Sequence, residues 1–477
     1  MKNNKRRDFI KLSGLAGAGI LSGMMLGPIE AMGVGKNSKT YNQRFNMHGY
    51  AAPKLETVRI GFIGVGSRGS GTLERFARVE GVDIKAVSDI VPKRVKDGID
   101  SVKSYGHKPV AYSDSQDSWK ELCDRNDIDL VVISTPWDLH TPMALYAMEQ
   151  GKHVGVEVPA AKTVEECWEL VETSERTKKH CMMLANSDYG DFAITTLNMS
   201  REGFFGEIIH GEGAYIHDRV SDPNRWTRNE NNDNWFSYRP WRLDENVNRN
   251  GNLYPTHPFG PISHIMNINC GDQMDYLVST SSDDFTMGPM MKEIASKDDY
   301  FEKYVGKNFR GNMNVTTIRT KKGRTIMLQH DISSPRPNVR FNIISGTKGV
   351  AQAYPNPPRI ATSHDGWLSQ EEFDVLAEQY KPEISKRVGD IAKEIGGHGG
   401  VDTMMAWRLI DCLRNGIPLD MDVYDAAASS CISPLSEWSV ANRSNSIDVP
   451  DFTSGQWKTN KPGMDISLEK GGTTKLI

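Results

Sequence analysis

The chain has 477 residues, of which 38% are hydrophobic and 25% are charged. This composition is ordinary for a soluble globular protein, and the length allows two or three domains that each bury a core. The formal net charge is −4, which excludes the strongly basic surface of a nucleic-acid-binding protein.

Residues 1–31 have the organisation of an export signal. The string RRDFIK begins at Arg6, and an apolar, glycine-rich run then extends to about Pro28. This run is too short and too rich in glycine to predict a membrane span. The string resembles the twin-arginine signal of bacteria, whose route carries folded proteins. We expect an exported, periplasmic protein without a stable membrane span after signal removal; the alternative is a basic, apolar start to a cytosolic chain.

A polar lead-in is predicted over residues 32–57, followed by a first domain over residues 58–188. Buried strand-like runs alternate there with helical periodicity. The predicted strands are VRIGFIGVG, VDIKAVSD, DLVVISTP, HVGVEV and CMMLANSD, and the predicted helices include 67–79, 142–150 and TVEECWELVETSERTKK. Repeated βα units with apolar strands predict a doubly wound parallel sheet.

The first predicted strand ends in a glycine motif, Gly64-x-Gly66-x-x-Gly69. The motif opens a helix, and Asp89 ends the second strand twenty residues later. In this context the motif is the dinucleotide fingerprint, with the helix N-terminus facing the pyrophosphate. Asp89 would bind the adenosine ribose and repel a 2′-phosphate, so NAD is favoured over NADP. The alternative is a glycine-rich turn in an unrelated α/β protein.

Ligands of doubly wound sheets lie beyond the carboxyl ends of the strands. Three predicted strand ends carry candidate cofactor contacts: Trp137 and His140 in one, Glu157 and Val158 in the next, and Asn186 in the third. Trp137 offers a flat face for a nicotinamide. The alternative for Trp137 and His140 is simple loop packing.

A second domain is predicted over residues 189–440, with a C-terminal tail over 441–477. The strands NVTTIRT and RTIMLQHDI are joined by residues 321–323, and FNIISGTKGVAQAY reads as another hairpin. Antiparallel sheets commonly leave one face open. We expect that face to form a sugar site or a homo-oligomer interface.

Four histidines of this second half lie among tyrosines, glycines and prolines: His217, His257, His264 and His398. Histidine transfers protons near neutral pH, so these are candidates for proton transfer. A structural hydrogen bond is the alternative for any one of them. A zinc site is the competing idea, although the spacing of a zinc-binding motif is lacking, and we expect no metal.

Aromatic and sulfur-containing residues add two weaker indications. Residues 234–241, with Trp226 upstream, are rich in aromatics that could stack on sugar rings or simply pack the domain. The six cysteines form no CxxC pair, so we expect most of them to be buried thiols.

The order of these pieces resembles the Gfo/Idh/MocA family of sugar and inositol dehydrogenases. That resemblance implies an α/β protein with an N-terminal Rossmann domain and a C-terminal α/β domain with a large, mostly antiparallel open sheet. The dehydrogenases usually carry Glu-Lys-Pro, whose lysine helps to move a proton, where this chain has Glu157-Val158-Pro159. Valine cannot titrate, which argues against a plain alcohol dehydrogenase.

Longer strings in the second half are more specific. Together with the Glu-Val pair, they resemble glycoside hydrolase family 109, the NAD-dependent α-N-acetylgalactosaminidases. The strings are GAYIHD from Gly213, RNGNLYPTHPFGPISHIM from Arg249, GGHGGVDT from Gly396, DVYDAAASSCISPLSEWSVANRS from Asp422, and VPDFTSGQW.

The resemblance implies site residues by position. It implies NAD contacts at Ser67, Arg68, Asp89, Trp137, His140, Glu157, Val158 and Asn186, and substrate contacts at Tyr215, Arg242, Tyr254, Pro255, Thr256 and His257. The candidates for catalysis are Tyr215, His217, Tyr254, His257 and His398. One departure stands out: the family's Arg-Pro-Tyr is here Arg336-Pro337-Asn338, which leaves the exact sugar open.

The sequence nominates no carboxylate pair of the kind that ordinary glycosidases use. We therefore expect a cycle in which tightly bound NAD oxidises C3, the C2 proton and the glycosidic oxygen leave, water adds, and C3 is reduced again, with no net redox change. An exported sugar oxidoreductase with tightly held nicotinamide is the alternative. A sugar-binding protein without activity is a third.

Overall fold

The computed structural model describes residues 43–220 and 240–477. The predicted signal, most of the lead-in, Trp226 and residues 234–239 lie outside the described residues. Within the described residues, no helix is both long and apolar enough to cross a membrane.

The described chain contains two sheets. The strands are β1 Val58–Ile63, β2 Val82–Ser88, β3 Val110–Tyr112, β4 Leu130–Ile133, β5 His153–Val156, β6 Cys181–Met183, β7 Ile208–Ile216, β8 Met274–Ser281, β9 Asn314–Thr320, β10 Thr325–Asp331, β11 Asn342–Gly346, β12 Val350–Gln352, β13 Arg359–Ala361 and β14 Ile447–Asp448.

α-Helices pack against both sheets. They are α1 Ser67–Ala77, α2 Pro92–Val102, α3 Ser118–Asp124, α4 His140–Glu149, α5 Val164–Thr177, α6 Asp191–Arg201, α7 Pro240–Asp244, α8 Thr256–Met266, α9 Met287–Lys297, α10 Gln370–Gln379, α11 Glu383–Ile395, α12 Val401–Asn415 and α13 Val423–Ala441.

The first sheet is parallel, with strand order β3-β2-β1-β4-β5-β6. Its central strands β1, β4 and β5 are almost wholly buried, as expected where helices cover both faces. The register aligns the carboxyl ends: Ile63 lies opposite both Ser88 and Ile133. The order reverses between β1 and β4, which makes this the point where doubly wound sheets bind ligands.

The second sheet has eight strands in the order β13-β12-β11-β7-β10-β9-β8-β14. Strands β7 and β10 pair in parallel, and the other pairs are antiparallel. The predicted hairpins are present as β9–β10 and β11–β12. The fold class expected from the sequence is confirmed: a Rossmann sheet followed by a large, mostly antiparallel open sheet.

Helix α13 links the two halves. It packs against α5 and β6 of the first sheet and against β8 of the second. Its alanines and serines are nearly all buried, because small side chains let a helix approach two neighbours closely. All six cysteines are free and five are buried, which confirms the expectation of buried thiols.

Candidate active site

A cleft of about 780 Å³ runs from the glycine loop of the first sheet to strand β7 of the second. The predicted residues that line it are Gly64, Gly66, Ser67, Arg68, Asp89, Trp137, His140, Glu157, Val158, Asn186, Tyr215, Arg242, Tyr254, His257 and His398. The fold thus brings the predicted cofactor contacts and most of the predicted substrate contacts to one surface.

The glycine loop has the geometry of a nucleotide cradle. Gly64 has φ +83°, which favours glycine. A Cβ on Gly69 would lie 1.9 Å from the Gly64 carbonyl oxygen, so only glycine lets α1 approach the loop this closely. A Cβ on Gly66 would meet nothing closer than Arg94 at 3.6 Å, so that side of the loop is open towards the cleft.

Asp89 is tied to this loop by its own carboxylate. Its two oxygens accept hydrogen bonds from the backbone N–H groups of Val65 and Val91, both at 2.9 Å. The carboxylate therefore shapes the loop and also lines the cleft.

The strand ends contribute residues with distinct tasks. Both ring nitrogens of His140 face backbone carbonyl oxygens, of Pro159 at 2.7 Å and of Thr135 at 2.8 Å. Burial lowers the pKa of His140, and a neutral ring donates a hydrogen bond to only one of the two carbonyls. Val158 is buried and presents no titratable group to the cleft.

Trp137 lies where the two halves of the cleft meet. Its ring stacks on Tyr254 with centroids 6.0 Å apart, and its edge contacts Trp241 at 5.5 Å. The guanidinium of Arg242 lies 5.3 Å from the Trp137 centroid, within the range of a cation–π contact.

An aromatic cluster lines the part of the cleft next to β7. Tyr215 ends β7, and its ring centroid lies 4.6 Å from that of Tyr254, which in turn lies 5.0 Å from His257. Arg340 places its guanidinium 5.5 Å from the Tyr215 ring. His217 follows on the same strand end with its ring 6.0 Å from Tyr215, but it does not line the cleft.

Burial sets the protonation states of two cluster members in opposite ways. It raises the pKa of Tyr254 to about 12, and the neighbouring Tyr215 raises it further while Arg242 opposes. Burial also lowers the pKa of His257 well below its ordinary value, assisted by Arg340 and Arg68. At neutral pH Tyr254 therefore keeps its proton, and His257 is a neutral ring.

Pro255 and Thr256 are buried beneath the cleft and do not line it. They form the start of α8, which carries Tyr254 and His257 on either side of them. These two predicted substrate contacts therefore do not reach the cleft in this structure. Asn338 is exposed and also stays off the cleft, while Arg340, two residues later, lines it.

His398 reaches the cleft from a loop of four glycines. Its Nδ1 lies 2.8 Å from Asp402, which is buried. His264 does not join this group, because its Nε2 bonds Asp188 at 3.2 Å beneath α8. Within 43–220 and 240–477, no cluster of three or more histidine, cysteine or carboxylate side chains is arranged to hold a metal.

Sequence reasoning missed several residues of the cleft, notably Asp402, Arg340 and Arg219. Asp402 belongs to the string GGHGGVDT, so its position just after the histidine loop was the available signal. Arg219 follows β7 and Arg340 precedes β11, and nothing local marks them as neighbours.

Comparisons with known proteins match the two halves separately. Residues 189–459 match the family model of the glycosyl hydrolase 109 C-terminal domain. Residues 58–185 match the oxidoreductase family model with an NAD-binding Rossmann fold. The chain belongs to glycosyl hydrolase family 109.

Full-length relatives agree with this family-109 assignment. A family 109 protein of Shewanella pealeana is 46% identical over 97% of this chain and 99% of its own. A protein of Shewanella oneidensis named alpha-N-acetylgalactosaminidase is 45% identical with the same coverage. The resemblance stated from the sequence is confirmed, and the chain is a glycoside hydrolase by family.

Solved structures support the fold of this family-109 chain. Levoglucosan dehydrogenase in its apo form covers 83% of this chain and 100% of its own, with a TM-score of 0.61 and 19% identity. The same enzyme in complex with NADH has a TM-score of 0.60 at 18% identity. At these identities the likeness concerns the fold alone.

The residues present fit a dinucleotide. The glycine loop is open at Gly66, and α1 begins there without a side-chain cap among the described residues, so its first N–H groups suit a pyrophosphate. At the far end, the buried Oδ1 of Asn186 has no hydrogen-bond partner among the described residues. A buried oxygen of this kind needs a hydrogen-bond donor, which a carboxamide or ribose hydroxyl can supply.

Proposed function

We propose that this chain is an exported α-N-acetylgalactosaminidase that holds one NAD tightly and regenerates it in each turnover. The observation that carries the proposal is the state of the carboxylates along the cleft. Three line it among the described residues: Asp89, Glu157 and Asp402. Asp89 bonds backbone amides, and the other two pair with Arg68.

Ordinary glycosidases need two carboxylates that flank the scissile bond, one of them protonated or free to attack. Glu157 and Asp402 instead share a single guanidinium, at 2.6 Å and 2.9 Å. Asp402 keeps its charge, because Arg68 and His398 outweigh burial and hold its pKa well below its ordinary value. The described carboxylates therefore suit cofactor positioning better than acid and base catalysis.

The cofactor contacts of the proposal follow from the cleft. The glycine loop and the start of α1 would hold the pyrophosphate, Asp89 the adenosine ribose, and Trp137 with Asn186 the nicotinamide end. Bound NAD supplies reversible oxidation at C3 of the sugar, which makes the C2 proton acidic.

The proton-handling groups are those of the aromatic cluster. Tyr254 keeps its hydroxyl proton at neutral pH and is suited to donate it to the departing glycosidic oxygen. His257 has a buried Nδ1 that lacks a partner among the described residues, which leaves a position to accept the C2 proton, although its lowered pKa makes it a weaker base than a free histidine. Tyr215 and His217 remain the alternative bases for C2, and His398 a further acid.

The activity is tested on a panel of p-nitrophenyl glycosides with the purified protein and no added NAD. We expect release of p-nitrophenol from the α-N-acetylgalactosaminide, with free N-acetylgalactosamine as product. Formation of a lactone or polyol instead would identify the sugar oxidoreductase. Binding of the sugar without turnover would identify the inactive alternative.

The elimination route makes a separate prediction in heavy water. Removal of the C2 proton and its later replacement from solvent should place deuterium at C2 of the released sugar. Mass spectrometry and proton NMR of the product measure this incorporation. A product with hydrogen retained at C2 would contradict the route while leaving hydrolysis itself intact.

Export is proposed from the sequence of the first 31 residues. A twin-arginine route carries folded proteins, so a chain could load NAD in the cytoplasm and cross the membrane with it. A reporter fused to residues 1–31 should reach the periplasm, and the double substitution Arg6→Lys, Arg7→Lys should block it. Lys11→Gln is the matched control, because it removes a charge and leaves both arginines. Equal export of both variants would contradict the proposal.

A further inference from the structure

One buried carboxylate accepts hydrogen bonds from two distant segments and from the loop just before it. Asp402 lies in the first turn of α12 with its side chain 3% exposed. It accepts both terminal nitrogens of Arg68 at 2.9 Å and 3.0 Å, the amide nitrogen of Asn186 at 2.6 Å, and Nδ1 of His398 at 2.8 Å. All four bonds involve side chains that line the cleft.

Two of these donors belong to the nucleotide site. Arg68 is the second residue of α1, directly after the glycine loop, and Asn186 follows β6. Both come from the parallel sheet, whereas Asp402 lies more than 200 residues later in the chain. The bidentate geometry fixes the plane of the guanidinium, which a single contact would leave free.

The third donor lies on a loop built almost wholly of glycine, in which the backbone N–H groups of Gly400 and Asp402 both bond the Gly397 carbonyl. All five residues from Gly396 to Gly400 have positive φ, His398 at +47° among them. Glycine has the widest conformational freedom of any residue. The His398 side chain is 52% exposed, and its bond to Asp402 is its one contact with a charged group of the described residues. Asp402 therefore sets the orientation of the His398 ring.

We propose that Asp402 is a positioning residue that latches the His398 loop to the nucleotide loop, so that one carboxylate both retains the dinucleotide and orients His398. The inference rests on the proposed NAD-dependent function. It assigns the tight retention of the cofactor to a bond between the two halves of the chain, through Arg68, and not to the glycine loop alone.

Cofactor release tests the retention half of the latch. Protein loaded with NADH is diluted into excess NAD, and the decay of bound NADH fluorescence gives the dissociation rate. Asp402→Asn should release NADH at least tenfold faster than the unmodified chain. Asp390→Asn, an exposed substitution on the preceding helix, should not change the rate. An unchanged rate in Asp402→Asn would overturn the latch.

Glu157→Gln separates the latch from a simple loss of charge around Arg68. This substitution removes the other carboxylate bound to Arg68 but leaves the link to His398. We expect a smaller acceleration than in Asp402→Asn. An equal or larger effect would show that charge around Arg68, and not the latch, governs retention.

If Asp402→Asn does not fold, Asp402→Glu takes its place, because its extra methylene moves the carboxylate away from the donors. Unchanged NADH release in Asp402→Glu would then overturn the latch.

A double-mutant cycle tests the orienting half. We measure kcat for Asp402→Asn, for His398→Gln and for the double variant, each saturated with NAD. If Asp402 acts through His398, the double variant should turn over within twofold of His398→Gln alone. If the kcat losses of the two single variants multiply in the double variant, Asp402 has a merely structural role, and its proposed orientation of His398 is overturned. The release assay needs no turnover, so absence of glycosidase activity would refute the proposed function without touching the latch.

Discussion

Gly66 and Gly69 belong to one motif but answer different physical demands. Gly69 has no room for a methyl group, because the Gly64 carbonyl oxygen lies 1.9 Å from its ideal Cβ. Gly66 has room, since its nearest neighbour is 3.6 Å away, and its φ of −68° suits any residue. The fold therefore requires Gly69, and a bound dinucleotide requires Gly66.

Alanine at the two positions should separate stability from binding. Gly69→Ala should lower the free energy of unfolding by about 1–3 kcal/mol, the usual cost of overpacking. Gly66→Ala should leave stability within about 0.5 kcal/mol and weaken NADH binding, because its methyl group would face the pyrophosphate. Urea unfolding and NADH fluorescence titration measure the two effects. Normal NADH affinity in a folded Gly66→Ala would contradict this division.

The residues of the cleft were partly foreseeable from the sequence. A glycine motif, an acid at the end of the next strand and polar residues after later strands are local signals, and these residues do line the cleft. Arg340 carries no such signal, and Asp402 has only its place in the string GGHGGVDT. Tertiary packing brings both to the cleft, Arg340 from just before β11 and Asp402 from the first turn of α12, and local patterns do not encode that packing.

At the scale of elements, His48 and Asp422 form a joint between the residues before β1 and the start of α13. Asp422 caps the helix by accepting the backbone N–H of Tyr424 at 2.8 Å. Its other oxygen lies 2.7 Å from Nδ1 of His48, whose Nε2 faces the Lys461 carbonyl. Burial opposes the charge on this ring, but Asp422 and the carbonyl prevail and raise the pKa of His48 to about 9.

This joint predicts a pH-dependent stability with a definite sign. A raised folded-state pKa favours the protonated ring, so its contribution is complete below pH 6.5 and is lost as the pH rises towards 9. The loss should amount to about 1–3 kcal/mol. Urea unfolding at pH 6.5 and pH 9 measures it.

His48→Gln is the comparison for this joint, because glutamine bonds without titrating. Its stability should change less between the two pH values than that of the unmodified chain. Asp425 also faces this joint, and burial raises its pKa to about 6, below the window used. Parallel pH slopes in the two proteins would contradict the assignment to His48.

At the scale of the whole molecule, the C-terminal residues bond both α12 and the Rossmann half. Asp411 on α12 accepts the backbone N–H groups of Gly472, Thr473 and Thr474 at 2.6–3.1 Å. The buried Trp407 donates its indole N–H to the Thr474 carbonyl at 2.9 Å. The chain then returns to the Rossmann half, where the N–H of Ile477 bonds the Arg78 carbonyl at 2.8 Å.

Removal of residues 470–477 should therefore destabilise both halves together. It removes three backbone donors from Asp411, which keeps Arg408 and Asn415, and leaves the buried indole N–H of Trp407 without its acceptor, at a cost of about 1–3 kcal/mol for each buried group left without a partner. We expect a loss of more than about 3 kcal/mol in urea unfolding, in a single transition. Ile477→Ala, at an exposed side chain, is the control and should stay within about 0.5 kcal/mol. A truncated chain as stable as this control would contradict the role of the tail.

The sequence by itself determined the parallel sheet, the nucleotide loop, the hairpins of the second sheet and the family. These follow from local causes: hydrophobic periodicity, turn residues and strings short enough to be read in place. Only the tertiary structure decided that Arg68 meets Asp402, 334 residues away, and that the ring nitrogens of His140 face backbone carbonyls while Nδ1 of His257 has no partner among the described residues. A partner at that distance is chosen by how sheets and helices pack, and burial then sets which groups keep their protons.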